Sequence, residues 1–194
     1  MSGPGQAYDG LVRLGKNGPR WTGEVRLVPE RLRDPLRWRR PRRVFTNSMS
    51  DLFHEKLPDA AIDQVVAVMG LAQHHVYQTL TKRAERMRAY FAASNVDEPS
   101  ISGREALCVR LSRAARAIDE RRWRDVGGEA FHWHPERWPW AWWGVSVEDQ
   151  PRADERVPLL VATDVHTKFL SVEPLLGPVD LRPWLMAEAE PGIV

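Results

Sequence analysis

The chain has 194 residues, 43% of them hydrophobic and 28% charged, with a formal net charge of +2, a length and composition that suit one folded globular domain. No apolar run approaches the ~20 residues of a membrane span, and the Met1-Ser-Gly-Pro-Gly5 start lacks the basic-then-apolar layout of a signal peptide. One cysteine, Cys108, excludes an internal disulfide framework and a cysteine-only metal site. Together these points predict a cytoplasmic protein without a membrane partner.

In chain order, residues 1–30 are rich in Gly and Pro, and 21–27 read as a short strand or an ordered loop. Pro29 and Pro35 bracket a brief helical turn carrying Leu32 and Leu36. Between Arg31 and Arg43 stand seven arginines and one aspartate, interleaved with Trp38. One reading is a solvated basic face. The sharper one is a phosphate-contacting surface for nucleic acid through Arg39, Arg40, Arg42 and Arg43, because arginine beside an aromatic ring suits both backbone and bases.

Four apolar runs, at 43–49, 75–81, 142–148 and 167–173, read as β-strands. Ile62, Val65, Val66 and Met69 then mark a helix entered at Pro58, and Met87, Tyr90 and Phe91 mark another over 83–93. Strands alternating with helices over short links imply parallel pairing. Residues 94–140 read as an insertion into this single domain: a basic amphipathic helix over 103–123, ended by Gly127-Gly128, and a Trp- and Pro-rich stretch expected to form a hydrophobic lid or interface. A helix follows over about 150–162, with Asp149 as cap and a kink or short break expected at Pro158. A last short helix is expected at 181–187.

Each strand ends in polar residues two positions apart: Ser48/Ser50, Thr79/Thr81, Ser146/Glu148 and Ser171/Glu173. Residues two apart on a strand share a face, so all four pairs are expected to line one site at the carboxyl ends of the strands. Glu148 and Glu173, each closing a Ser-Val-Glu run, suit acid/base work, a divalent cation or a ligand amine if they converge. Lys82 and Arg83 suit a ligand carboxylate or phosphate, or an ion pair with Glu148 or Asp51. Asn47, Ser50 and Asp51 complete the candidate set. His132 and His134 lack a third metal ligand, and Cys108 at helical spacing reads as a packing residue.

Several unbroken motifs resemble one known family: Phe45-Thr-Asn-Ser-Met-Ser-Asp-Leu-Phe-His54, Leu80-Thr-Lys-Arg83, Trp143-Gly-Val-Ser-Val-Glu-Asp-Gln150 and Phe169-Leu-Ser-Val-Glu-Pro-Leu-Leu-Gly-Pro178, with Trp21–Leu27 and Pro35–Trp38 ahead of them. Over roughly 6–185 the chain resembles the uncharacterised phage-associated family allied to radical SAM enzymes. That resemblance implies a partial (β/α) barrel of radical SAM type, apparently truncated at both ends. In an intact member it implies a [4Fe–4S] cluster on three cysteines and S-adenosylmethionine beside it. Asn47, Ser50, Asp51, Thr81, Lys82, Ser146, Glu148, Ser171 and Glu173 would then face the cofactor cavity. With Cys108 alone, this chain is expected to hold no cofactor and to be a fragment or degenerate copy without complete activity. A non-enzymatic nucleic-acid module on the Arg31–Arg43 face and a metal-dependent hydrolase using Glu148 and Glu173 are the alternatives. Besides nucleic acid, a partner chain covering exposed strand edges is expected.

Overall fold

The computed structural model describes residues 9–16, 18–92, 103–130 and 133–185. Strands β1 (Val12–Gly15) and β2 (Gly18–Trp21) form an antiparallel hairpin. Two single-turn helices follow, α1 (Pro29–Leu32) and α2 (Asp34–Arg37), each with a proline in its first turn. The main body is β3 (Arg43–Thr46), α3 (Asp59–Leu71), β4 (Val76–Thr81), α4 (Ala84–Phe91), α5 (Gly103–Ile118), α6 (Glu120–Asp125), β5 (Ala141–Ser146), α7 (Gln150–Val161), β6 (Thr167–Ser171) and α8 (Arg182–Leu185). The expected helical residues 93, 186 and 187 lie outside the described residues, as does the 94–102 part of the insertion.

β3, β4, β5 and β6 form one parallel sheet in sequence order. Because each crossover joins neighbours and every step goes the same way, right-handed connections place the helices on one face. The burial pattern agrees: Tyr77, Thr79 and Thr81 of β4 are buried, whereas Val76, Gln78 and Leu80 are only half-buried. On the helix side, the ring of Trp143 sits between Phe91 (4.7 Å) and Phe53 (6.1 Å), with Val145, Val157 and Leu160 in the same core. The opposite face carries no helix among the described residues. Phe45, Leu80, Trp142 and Phe169 remain partly exposed there, and the Phe169 ring lies so close over Gly144 that a Cβ at that position would meet it at 2.6 Å.

Three local expectations change. The helix over 103–123 is two helices: Asp119 leaves helical geometry (φ −155°) and caps α6 by accepting from the Arg122 N–H at 3.0 Å. α7 runs unbroken through Pro158. The missing N–H there falls on the solvent side, where Pro158 and Asp154 are both exposed, so the vacated carbonyl need not be buried. The Trp-rich stretch is core rather than lid. Trp133 and Trp138 are buried against α3, Trp138 stacks on Trp140 at 5.7 Å, and the Trp140 indole N–H donates to the Met69 carbonyl at 3.1 Å.

That packing depends on Gly70, where an added Cβ would stand 2.6 Å from Cζ3 of Trp133 and 2.9 Å from Cη2 of Trp138. Two buried indoles cannot both retreat, so Gly70→Ala is expected to cost about 1–3 kcal/mol through overpacking. The readout is the urea midpoint, and an unchanged midpoint would refute this account of the insertion.

A buried clamp ties the three central helices together. Asp63 of α3 accepts from the Tyr90 hydroxyl of α4 at 2.8 Å and from Nε and Nη2 of Arg110 on α5 at 3.1 and 3.2 Å. Burial raises the Asp63 pKa above its ordinary 3.8, outweighing the lowering effect of its hydrogen bonds and of the Arg110 charge.

Candidate functional site

The carboxyl ends of β4 and β5 are joined by one chain of charges. After β5 turns at Val147, Glu148 is 7% exposed. Its Oε1 is paired with Nζ of Lys82, which follows β4, and its Oε2 with Nη1 of Arg156 on α7 at 3.1 Å. The same Arg156 nitrogen donates to the Ser146 carbonyl at 2.9 Å. Burial alone would raise the Glu148 pKa, but the Lys82 hydrogen bond and the charges of Arg156 and Lys82 bring it below its ordinary 4.5. Glu148 therefore stays ionised at neutral pH.

Ser146 and Ser171 are register partners on neighbouring strands, so the two hydroxyls stand side by side on the helix-free face. Glu173, two residues beyond Ser171, is exposed, and no ion pair holds it among the described residues. The two glutamates thus sit in different environments, one neutralised by two cations and one in solvent.

Thr81 departs from the expected common face. Register aligns Thr81 with Val145 and Thr79 with Trp143, so both threonines point into the helix layer while Ser146 points the other way, and Glu148, beyond the end of β5, lies between Lys82 and Arg156 of α7. Alternation fixes parity within one strand, but pairing register fixes it between strands. The first pair departs as well, because β3 ends at Thr46 and residues 47–50 form a turn with Asn47 at φ 62°. The Asn47 amide donates to the Ser50 hydroxyl at 2.9 Å, and both residues line a cavity of about 440 Å³ against the 23–28 segment.

Asp51 is consumed in structure. Its Oδ1 accepts from the Thr81 hydroxyl (2.7 Å) and the Phe53 N–H (2.9 Å), and its Oδ2 from Nη1 of Arg83 (2.9 Å) and the Lys82 N–H (3.2 Å). It staples the loop after β3 to the end of β4 and thereby positions Lys82, whose ammonium then reaches Glu148. The sequence reading missed Arg156. The signal was present: Arg156 falls on the α7 stripe of Ala153, Val157 and Leu160, and a charged residue on a core-facing stripe needs a buried partner.

Among the described residues no three His, Cys, Asp or Glu side chains are grouped to hold a metal ion. His132 lies outside the described residues. Nδ1 of His134 is 2.8 Å from the Glu136 carboxylate and 3.4 Å from Sγ of Cys108. Both contacts use the same ring nitrogen, so the imidazole cannot relay a proton between them. Burial pushes the Cys108 thiol up to about 11, the reverse of what a nucleophile needs.

Arg39, Arg40, Arg42 and Arg43 are exposed at the amino end of the sheet, where Arg43 opens β3. They are thus remote from the Glu148 end in sheet topology.

Fold and site define a mixed α/β protein with a four-stranded, singly wound parallel sheet and a charged cluster at its carboxyl end. The chain belongs to a family described as a protein of unknown function, DUF5131, whose model matches residues 7–193. Comparison with curated proteins and with solved structures gives no match. No helix among the described residues is long and apolar enough to cross a membrane.

Proposed function

We propose that this chain forms the ligand-binding wall of a (β/α) barrel of radical SAM type, with S-adenosylmethionine as the ligand class to test. The supporting observation is the carboxyl end of the parallel sheet, where Ser146 and Ser171 are partners on the helix-free face and Glu148 lies just beyond β5, paired with Lys82. Open α/β sheets and barrels place their sites at that end. Phe169 and Leu80 supply an apolar floor, the paired serines can hold a carboxylate or a ribose hydroxyl, and the Glu148 carboxylate can accept from an ammonium in exchange for Lys82. The phage association and the link to radical SAM enzymes rest on sequence resemblance.

The residues do not fit a [4Fe–4S] cluster. Three thiolates are needed, and the sequence offers Cys108 alone, half-buried on α5 with a raised pKa. No chemical step is therefore derived through a cluster, and the reading is one of binding. A divalent-cation hydrolase finds less support, because Lys82 and Arg156 already neutralise Glu148.

Isothermal titration of S-adenosylmethionine into the chain tests the proposal. Saturable binding is expected, weakened about tenfold by Ser171→Val through loss of one hydrogen bond to a charged group. A folded chain that takes up no heat on titration overturns it.

A further inference from the structure

We infer that the basic segment 37–43, at the amino end of the sheet, is a docking site for single-stranded nucleic acid. Its backbone is held in place before any ligand arrives. Nδ1 of His75 accepts from the Arg42 N–H at 3.1 Å, so Nε2 carries the proton and donates to the Pro35 carbonyl at 3.0 Å. His74 Nε2 lies 3.0 Å from the Trp38 carbonyl. Two adjacent histidines, one of them 1% exposed, thus pin the segment at Trp38 and Arg42 and hold Pro35 just ahead of it.

The side chains are left for something else. Arg31 and Arg37 share Asp34 at 3.1 and 3.8 Å. Arg39, Arg40, Arg42 and Arg43 are exposed, and no carboxylate among the described residues is within ion-pair distance of them. Like charges crowded on a fixed backbone repel one another, so a polyanion that bridges them gains attraction and relieves repulsion.

Beside them is an open cleft of about 620 Å³ whose walls include Arg37, Trp38, Arg39, Pro41 and His74. The Arg42 guanidinium lies over the Trp38 ring, 4.8 Å from its centroid. Guanidinium groups that track a backbone, next to an aromatic wall on which a base can stack, are the combination that binds single strands without sequence preference. An acidic peptide would use the charges but not the aromatic wall, and a duplex keeps its bases stacked internally. The segment is at the opposite end of the strands from Glu148, so this inference stands independently of the ligand proposed there.

Fluorescence anisotropy with a labelled single-stranded oligonucleotide of about 20 nucleotides, longer than the site sizes of such grooves, tests it on the full chain. Binding is expected whose logarithm falls linearly with the logarithm of salt concentration. Combined Arg39→Gln, Arg40→Gln, Arg42→Gln and Arg43→Gln is expected to weaken binding about tenfold or more at low salt and to reduce that slope by about 3, four contacts at ~0.7 each. The four corresponding Arg→Lys changes keep the charge and are expected to keep most of the slope, which separates lost charge from lost fold. Unchanged affinity and slope in the glutamine variant overturn the inference. So does displacement of the oligonucleotide by polyglutamate at equal charge concentration, or a blunt duplex bound as tightly as the single strand.

Discussion

Asp63→Ala is expected to lower stability by about 3–5 kcal/mol, the range for breaking a buried ion pair by removing one partner. Asp63 is 6% exposed and receives three hydrogen bonds from two other helices. Its loss leaves the Tyr90 hydroxyl buried without that acceptor and the half-buried Arg110 guanidinium without its counter-ion. Asp63→Asn retains an acceptor for Tyr90 and is expected to cost distinctly less. Urea unfolding is the measurement, with the midpoint falling at constant slope. A loss below about 1 kcal/mol, the net value of one ordinary hydrogen bond, would show that the clamp is incidental. The pH dependence has a defined sign. Because the folded pKa is raised above 3.8, the stability linked to protonation is fully present below 3.8 and is lost as pH rises through the folded value. Asp63→Ala should remove that decline.

Glu148→Ala is expected to have an effect of similar size, about 3–5 kcal/mol, for a different reason. Arg156 is 8% exposed and would keep its bond to the Ser146 carbonyl while losing its counter-charge. Lys82 is more than half exposed and can turn to water, so its share of the loss is discounted. Here the linkage runs the other way. The folded pKa is lowered from 4.5, so the stabilisation is present above 4.5 and is lost as pH falls through the folded value. Thermal melting between neutral pH and pH 3 should show a shallower acid limb in Glu148→Gln than in the unaltered chain. Parallel acid limbs would mean that Glu148 is not the group responsible.

Much of the scaffold was legible because periodicity survives in a single chain. The stripe of Ile62, Val65, Val66 and Met69 predicted α3, and its members are buried or nearly so. The strand–helix alternation predicted the parallel pairing, and β5 and β6, the two strands that end in Ser-Val-Glu, are neighbours in the sheet with Ser146 opposite Ser171. What stayed hidden depends on two elements at once. Thr81 turns away from Ser146 because β4 pairs with β5 in a register that aligns it with Val145, and no feature internal to either strand encodes that choice. Asp51 was read as a ligand contact because its four donors come partly from β4, some 30 residues downstream. Arg156 stayed hidden because its partners, the Glu148 carboxylate and the Ser146 carbonyl, belong to the end of β5 and meet it only when α7 packs on the sheet. The tryptophans read as a lid or interface because a local cluster of large rings does not reveal that α3 offers Gly70 as the seat of Trp133 and Trp138.

The sequential strand order also bears on how the sheet assembles. β3 meets β4, and β5 meets β6, after one short helical connection each, whereas the pairing of Tyr77 with Ala141 closes the long insertion. Closing a loop costs about 0.6 kcal/mol more with each doubling of its length, so the β4–β5 seam is the costliest contact to form from an open chain. α5 lies inside that loop, and its docking on α3, which precedes β4, is fastened by Arg110 and Asp63 and shortens the span left to close. The ion pair that steadies the finished helices is thus also placed to hasten the one pairing that joins the two halves of the sheet.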